Sequence, residues 1–525
     1  MTDAVVVGAG FAGLYALLKL RRMGLSVRGF EAGDGVGGVW FWNRYPGARC
    51  DVESMQYSYS FSSELEQDWT WSERFAPQAE ILAYINHVAD RFDLRRDIQF
   101  GTRVESAVFD EAANRWLVTT GGGERIAARF CIMATGCLST ARVPDLPGLA
   151  DFAGECFHTG NWPQAGVDFA GRRVALIGTG SSGIQATPVI AADAAQLTVF
   201  QRTPNFVIPA RNRPLEPETV QHWKENYPAY RARARQVGTF YEVSDRRAMA
   251  VTAADREREY QRRWNEGGVN FVHAFKDIYL DEAANQTAAA FVHARIRELV
   301  HDPATAAALS PTDHPLGSKR ICVASDYYET FNRRNVALVN LRAEPIEAIT
   351  PTGIRTTRRS YEADTLVLAT GYDAMTGSLL AMDIRGRAGR TLRDKWADGP
   401  RNYLGLMAEG FPNLFTVTGP GSPSVLVNMV IGIEQHIDWI MDCIAFLDAR
   451  GAPTIEASRE AEDRWVEHVN DEADQTLFPR GASWYLGANI PGKPRVFMPY
   501  VGGIGRYRAR CDAVAEAGYE GFRIG

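Results

Sequence analysis

Two strand–glycine–helix turns in one chain leave few folds open. Residues 4–20 read AVVVGAGFAGLYALLKL: a short β-branched strand, Gly8-x-Gly10-x-x-Gly13, then apolar positions at helical spacing. In such a turn the first glycine permits a tight bend and the second lets backbone approach a pyrophosphate. The third packs helix against strand, and the new helix offers free N–H groups to phosphate oxygens. Glu31 closes the following strand, 23 residues past Gly8, where a carboxylate accepts the hydroxyls of a ribose. Residues 173–190, RVALIGTGSSGIQATPVI, repeat the design with Gly178, Gly180 and Gly183. Here the second strand ends in Gln201-Arg202 rather than in an acid. An acid would repel a 2′-phosphate and the Arg202 guanidinium would bind it, so this site is expected to take NADP rather than NAD.

Two dinucleotide folds in one chain imply two cofactors that meet. The first, with its acid, suits FAD, and the second suits NADPH. RFCIMATG (129–136) and DTLVLATG (364–371) are continuous apolar runs closing in Ala-Thr-Gly, as buried parallel strands leaving a sheet at a tight turn would be. These landmarks predict an α/β chain with two Rossmann-like dinucleotide-binding domains. The FAD domain is expected over 1–142 and 377–525, and the NADP domain, inserted in it, over 150–211 and 318–376. Residues 212–317 include QHWKENYPAYRARARQVG and ADREREYQRRWNEGG. Such alternating charge reads as solvated helix faces, and predicts a helical insert packed against the NADP domain that adds one wall to the site.

The remaining composition excludes several classes. A net charge of -6 gives no basic field to hold nucleic acid. Seven cysteines, none paired as C-x-x-C, suggest neither a disulfide framework nor a zinc site and fit a reducing cytoplasm. They also lack the redox pair that a pyridine-nucleotide disulfide reductase needs. The apolar run 429–447 contains Glu434, His436, Asp438 and Asp442, too many charges for a membrane span, and the apolar N-terminus lacks the basic start of an export signal. A soluble enzyme acting on a small molecule is expected.

One stretch fits neither a helix nor a strand: FAGECFHTGNWP (152–163), with Phe152, Gly154, His158 and Trp162 at irregular spacing. It lies where the chain crosses between the two domains, so irregular backbone is expected, with Gly154 supplying dihedrals that other residues avoid. Phe-x-Gly-x-x-x-His-x-x-x-Trp-Pro at this place resembles the fingerprint of the type I Baeyer–Villiger monooxygenases. GGVWFWNRYPGARCD (37–51), KR before YYETFNRRNV (319–336), FPNLFTVTGPGSP (411–423) and SWYLGANIPGKPR (483–495) are similar to further motifs of that family.

The resemblance implies an NADPH- and O2-dependent flavoprotein that converts a ketone to an ester or lactone through a flavin C4a-peroxide and a Criegee-type adduct. The related flavin-dependent N- and S-oxygenases are the alternative, and they usually lack Trp162. By the same resemblance Arg320 stabilises the anionic oxygen and Asp51 holds it near the flavin. Phe11, Glu31, Val39, Trp40, Tyr57, Val104 and Met429 match FAD contacts. Arg49, Gly180, Ser181, Ser182, Gln185, Arg202, Thr203 and Lys319 match NADP contacts, and Trp484 matches a tryptophan on a loop that closes over the nicotinamide nucleotide. Cys137, Leu138 and the run Ser424, Val425 and Leu426 match positions that shape the ketone pocket. Cys137 is smaller than the residue several relatives carry, which leaves room for a bulky cyclic or aryl ketone. His158 and Trp162 are expected to fix how the domains sit and swing rather than to transfer protons.

Overall fold

The computed structural model describes residues 1–525 and builds one sheet on each glycine turn. In the first, Thr2–Val7 pairs in parallel with Val27–Phe30 on one side and with Arg125–Met133 on the other. Arg125–Met133 is antiparallel to Arg115–Thr120, so this strand joins a parallel half to a meander rather than lying among parallel neighbours alone. Asp383–Arg385 and Leu414–Thr416 return from late in the chain to the same sheet. The second sheet is parallel throughout: Val336–Asn340, Gln196–Gln201, Arg173–Ile177, Thr365–Leu368 and Glu155–His158. Its central strands are covered on both faces, and Leu176, Leu197 and Val367 have no exposed surface, which is why these strands read as unbroken apolar runs.

The two Ala-Thr-Gly tripeptides form the floor under the two glycine turns. A Cβ on Gly8 would lie 2.5 Å from the Ala134 carbonyl oxygen, and one on Gly178 would lie 2.3 Å from that of Ala369. Both glycines have φ in the left-handed region, 104° and 114°, open to glycine at little cost. Gly13 and Gly183 act differently, since a Cβ there would lie 1.8 Å and 2.1 Å from the carbonyls of Gly8 and Gly178. Their bare Cα atoms let each helix start hard against its strand.

Two expectations need correction. Glu155–His158 is not irregular: it is the edge strand of the second sheet, in parallel register with Thr365–Leu368. Gly154 is required by close approach rather than by unusual dihedrals, because a Cβ would lie 2.3 Å from the Asp364 carbonyl. The insert, in turn, is not one subdomain on the second sheet. Helix Pro217–Val237 packs on the first core through Tyr227 and Ala234, whereas Tyr260, Trp264, Phe271 and Phe291 join the second. Its charged sequence conceals a buried Arg231, only 5% exposed, whose Nε donates to Glu66 at 2.8 Å and whose Nη2 donates to Ser58 at 2.7 Å. A paired, hydrogen-bonded guanidinium can be buried where an unpaired one cannot. No helix is long and apolar enough to cross a membrane.

Candidate active site

A single cavity of about 1480 Å³ connects the two glycine turns, beyond the roughly 300–1,000 Å³ of a typical small-molecule pocket. Gly8, Gly10, Phe11, Glu31, Val39, Trp40, Tyr57, Val104 and Met429 line it. So do Arg49, Gly178, Gly180, Ser181, Ser182, Gln185, Arg202, Thr203 and Lys319, together with Asp51, Arg320, Cys137, Leu138, Val425 and Trp484. Gly13 and Gly183 do not face it, in keeping with their packing role. Ser424 and Leu426 do not line it either, contrary to the sequence reading. They flank Val425 in a 3-10 turn, where successive side chains point about 120° apart, and the Ser424 hydroxyl turns to Met375. Val427, which the sequence reading passed over, faces the cavity.

At the first turn, buried Glu31 accepts the backbone N–H groups of Ala9 and Gly33, each at 2.8 Å. This fixes the carboxylate and leaves lone pairs for a ribose. Trp40 Nε1–H donates to the Tyr57 hydroxyl at 3.2 Å, and Phe11 meets Tyr57 edge-on at 5.3 Å, giving an aromatic wall. At the second turn, nothing lies within 4 Å of a Cβ built on Gly180. The backbone there is uncovered, as close approach by a pyrophosphate requires. Both turns therefore fit the dinucleotides that the sequence implies.

Gln185 and Arg49 are engaged in joining the two halves. Tyr45 O–H donates to Gln185 Oε1 at 2.8 Å, and Gln185 Nε2 donates to the Arg49 carbonyl at 3.2 Å. Arg49 Nη1 donates to the Phe75 carbonyl at 2.8 Å and lies 3.5 Å from Glu73.

Arg320 spans the boundary between the halves. Its Nε and Nη2 donate to the two Asp51 oxygens, each at 2.8 Å, and Nη1 donates to the Val425 carbonyl at 2.6 Å. Burial would lower the arginine pKa, but the Asp51 carboxylate outweighs it and the net shift is upward. The guanidinium is a fixed cation at any working pH. Three of its five N–H donors are held in these hydrogen bonds, and the Tyr485 hydroxyl lies beside the same guanidinium. Burial pushes the Cys137 thiol up to about 11, so this side chain lines the cavity as a small apolar group rather than as a thiolate.

The segment bearing Trp484 is fastened to both crossings between the halves. Arg142 donates to the Asn489 carbonyl, and Asn489 Nδ2 donates to the Tyr372 carbonyl at 2.7 Å. Lys493 Nζ reaches Asp373 at 2.5 Å and the Ala374 carbonyl at 2.9 Å. His158 ties the same crossings: Nδ1 accepts Gly160 N–H at 2.9 Å, so Nε2–H faces the Arg142 carbonyl at 3.1 Å and Thr370 Oγ1 at 3.2 Å. Burial lowers the His158 pKa, with the Arg142 carbonyl opposing, and the ring is neutral. Trp162 packs between Phe157 and Phe169 in the second core. Sequence reasoning missed Arg142, Tyr372 and Asp373, because contacts 117–347 residues apart leave no local spacing signal.

His158→Ala is expected to keep its FAD and to slow turnover five- to thirtyfold, the equivalent of about 1–2 kcal/mol of lost hydrogen bonding. Flavin absorbance and steady-state rates measure the two. A changed pH profile of product formation would assign proton transfer to His158 instead.

The geometry has close counterparts. A family model described as flavin-binding monooxygenase-like matches residues 2–216. A Baeyer–Villiger monooxygenase of Pseudooceanicola batsensis is 43% identical, covering 98% of this chain and 95% of that one. A phenazine N-monooxygenase of Lysobacter antibioticus is also 43% identical, covering 99% and 96%. Among solved structures, an oxidised steroid monooxygenase bound to NADP is 55% identical with a TM-score of 0.96, covering 100% and 99%. This chain belongs to the Baeyer–Villiger monooxygenase family. As a Baeyer–Villiger monooxygenase it is an FAD-containing, NADPH- and O2-dependent enzyme that converts a ketone to an ester or lactone.

Proposed function

We propose that the ketone is bulky and polycyclic, of steroid size, and that Arg320 is the group that stabilises negative charge on oxygen during its conversion. The observation that carries the role of Arg320 is its paired geometry. Asp51 and the Val425 carbonyl fix the guanidinium through three hydrogen bonds, and Arg320 lines the cavity between the two turns. Fixed donors aimed at developing charge in a site sheltered from water are worth far more than the same donors in solution. In this reading residues 1–142 and 377–525 hold FAD, residues 150–211 and 318–376 hold NADPH, and Arg202, Thr203 and Lys319 take the 2′-phosphate. When bound, these cofactors supply the hydride and the activation of O2. The chain itself orients them on its two glycine turns, and Trp484 covers the cavity and limits water.

Two observations support a large substrate: the small Cys137 side chain at the cavity wall, and the 55% identity to a steroid monooxygenase. A second reading, oxygenation of a ring nitrogen, is favoured by the phenazine N-monooxygenase relative. The test offers a steroid ketone, cyclohexanone, an aryl methyl ketone and phenazine with NADPH, and identifies products by mass spectrometry. Ester or lactone from the steroid ketone at the highest kcat/KM is expected. Selective turnover of cyclohexanone would remove the bulky substrate, and an N-oxide without any ester would favour the second reading.

A further inference from the structure

We infer that Arg342 is a specificity-determining residue for the coenzyme, a third cation at the 2′-phosphate subsite, positioned by Asp313. This rests on the reading of Arg202 and Lys319 as 2′-phosphate residues. Arg342 follows Val336–Asn340, the strand that pairs in parallel with Gln196–Gln201 and thus exits the sheet beside Arg202. Leu341 N–H donates to the Gln201 carbonyl at 2.8 Å, which keeps the two exits level. Ligands of open parallel sheets bind just beyond such carboxyl ends. Leu341 and Pro345, on either side of Arg342, line the cavity.

Arg342 Nη2 lies 3.4 Å from Thr203 Oγ1 and is paired with Asp313. The other Asp313 oxygen accepts His314 Nδ1–H at 2.6 Å, and His314 Nε2 is buried without a partner. Both carboxylate oxygens are therefore engaged, while Nη1 and Nε of Arg342 make no hydrogen bond and remain available to an incoming anion. The side chain is 50% exposed and lies outside the cavity lining that its neighbours Leu341, Pro345 and Thr203 form. Lys319 senses the same cluster: burial lowers its pKa, Asp313 raises it, and Arg202 and Arg342 lower it further. Arg202 and Arg342 both disfavour the Lys319 charge, and a phosphate dianion among these cations relieves that repulsion. A planar guanidinium gripping phosphate through two donors adds geometric selectivity to charge.

The test is calorimetric titration of the full-length, FAD-loaded enzyme with adenosine 2′,5′-bisphosphate and with 5′-AMP, beside the KM values for NADPH and NADH. Arg342→Ala is expected to weaken adenosine 2′,5′-bisphosphate and raise the NADPH KM by about tenfold, the loss of one charge-assisted hydrogen bond. 5′-AMP and the NADH KM should stay as they were, and Arg342→Lys should recover part of the loss. Arg202→Ala runs in parallel. If it weakens the bisphosphate and Arg342→Ala does not, Arg342 is no part of the subsite while the reading of Arg202 stands. If neither variant discriminates the two nucleotides, that reading falls as well. Equal losses for both nucleotides with Arg342→Ala would mark a structural effect and overturn the inference.

Discussion

Arg320→Ala is expected to load FAD and consume NADPH while forming little or no ester, its electrons leaving as hydrogen peroxide. Hydride transfer depends on placement, which in the proposed reading the two glycine turns and the 2′-phosphate cations supply without Arg320. Oxygen transfer depends in addition on donors aimed at developing negative charge, and loss of one such donor costs about 2.7–4 kcal/mol, or 10²–10³ in rate. The substitution also strips Asp51 of its partner in a site where the pair is only 28% and 20% exposed. Breaking a fully buried pair costs about 3–5 kcal/mol, and partial exposure here reduces that figure. Thermal unfolding of the variant therefore belongs beside the kinetics. Arg320→Lys retains charge but not the two-point contact with Asp51, and should recover folding better than product yield. Stopped-flow absorbance resolves flavin reduction from the later steps. Near wild-type ester per NADPH from Arg320→Ala would falsify the role given to it.

Arg202→Ala and Lys319→Ala should each raise the NADPH KM about ten- to a hundredfold, at about 1.5–3 kcal/mol for each lost charge-assisted hydrogen bond. The NADH KM should barely move, since NADH lacks the 2′-phosphate for these side chains to hold. Lys319 adds a pH signature. Its pKa is lowered first by burial, so it loses its proton at lower pH than an exposed lysine does, and only the protonated form attracts the phosphate. The NADPH KM of the wild type should therefore climb on the alkaline side. Lys319→Arg should flatten that climb, because a guanidinium stays charged there. Equal loss with both coenzymes would end the 2′-phosphate assignment.

Much of the site was legible because its chemistry is local. Gly8, Gly13, Gly178 and Gly183 are required by contacts with their own turns and with one neighbouring strand, and that requirement appears as a spacing. Glu31 and Arg202 sit at strand ends, where position along the chain nearly dictates position in space. Less legible were positions whose direction depends on a turn, as at Ser424 and Leu426. Arg231 was hidden too, because its partner Glu66 lies in a distant segment and its helix looks solvated when read alone. Gly154 shows the same limit in a milder form: the glycine was noticed, but its reason, the Asp364 carbonyl, lies on a neighbouring strand.

The sequence by itself determined that there are two dinucleotide turns, which residues cap their second strands, and that the chain carries the motifs of a Baeyer–Villiger monooxygenase. Each of these is set by backbone geometry over a few tens of residues, and so leaves a pattern in the order of residue types. Only the tertiary structure decided that the Val425 carbonyl joins Asp51 in gripping Arg320, that Asn489 and Lys493 fasten the Trp484 segment to both crossings, and that Arg342 stands beside Thr203. Those contacts join segments 105 to 347 residues apart. They arise from how two sheets and an insert pack, and packing satisfies a charge or a donor with whichever partner the fold brings near, so no spacing along the chain records it.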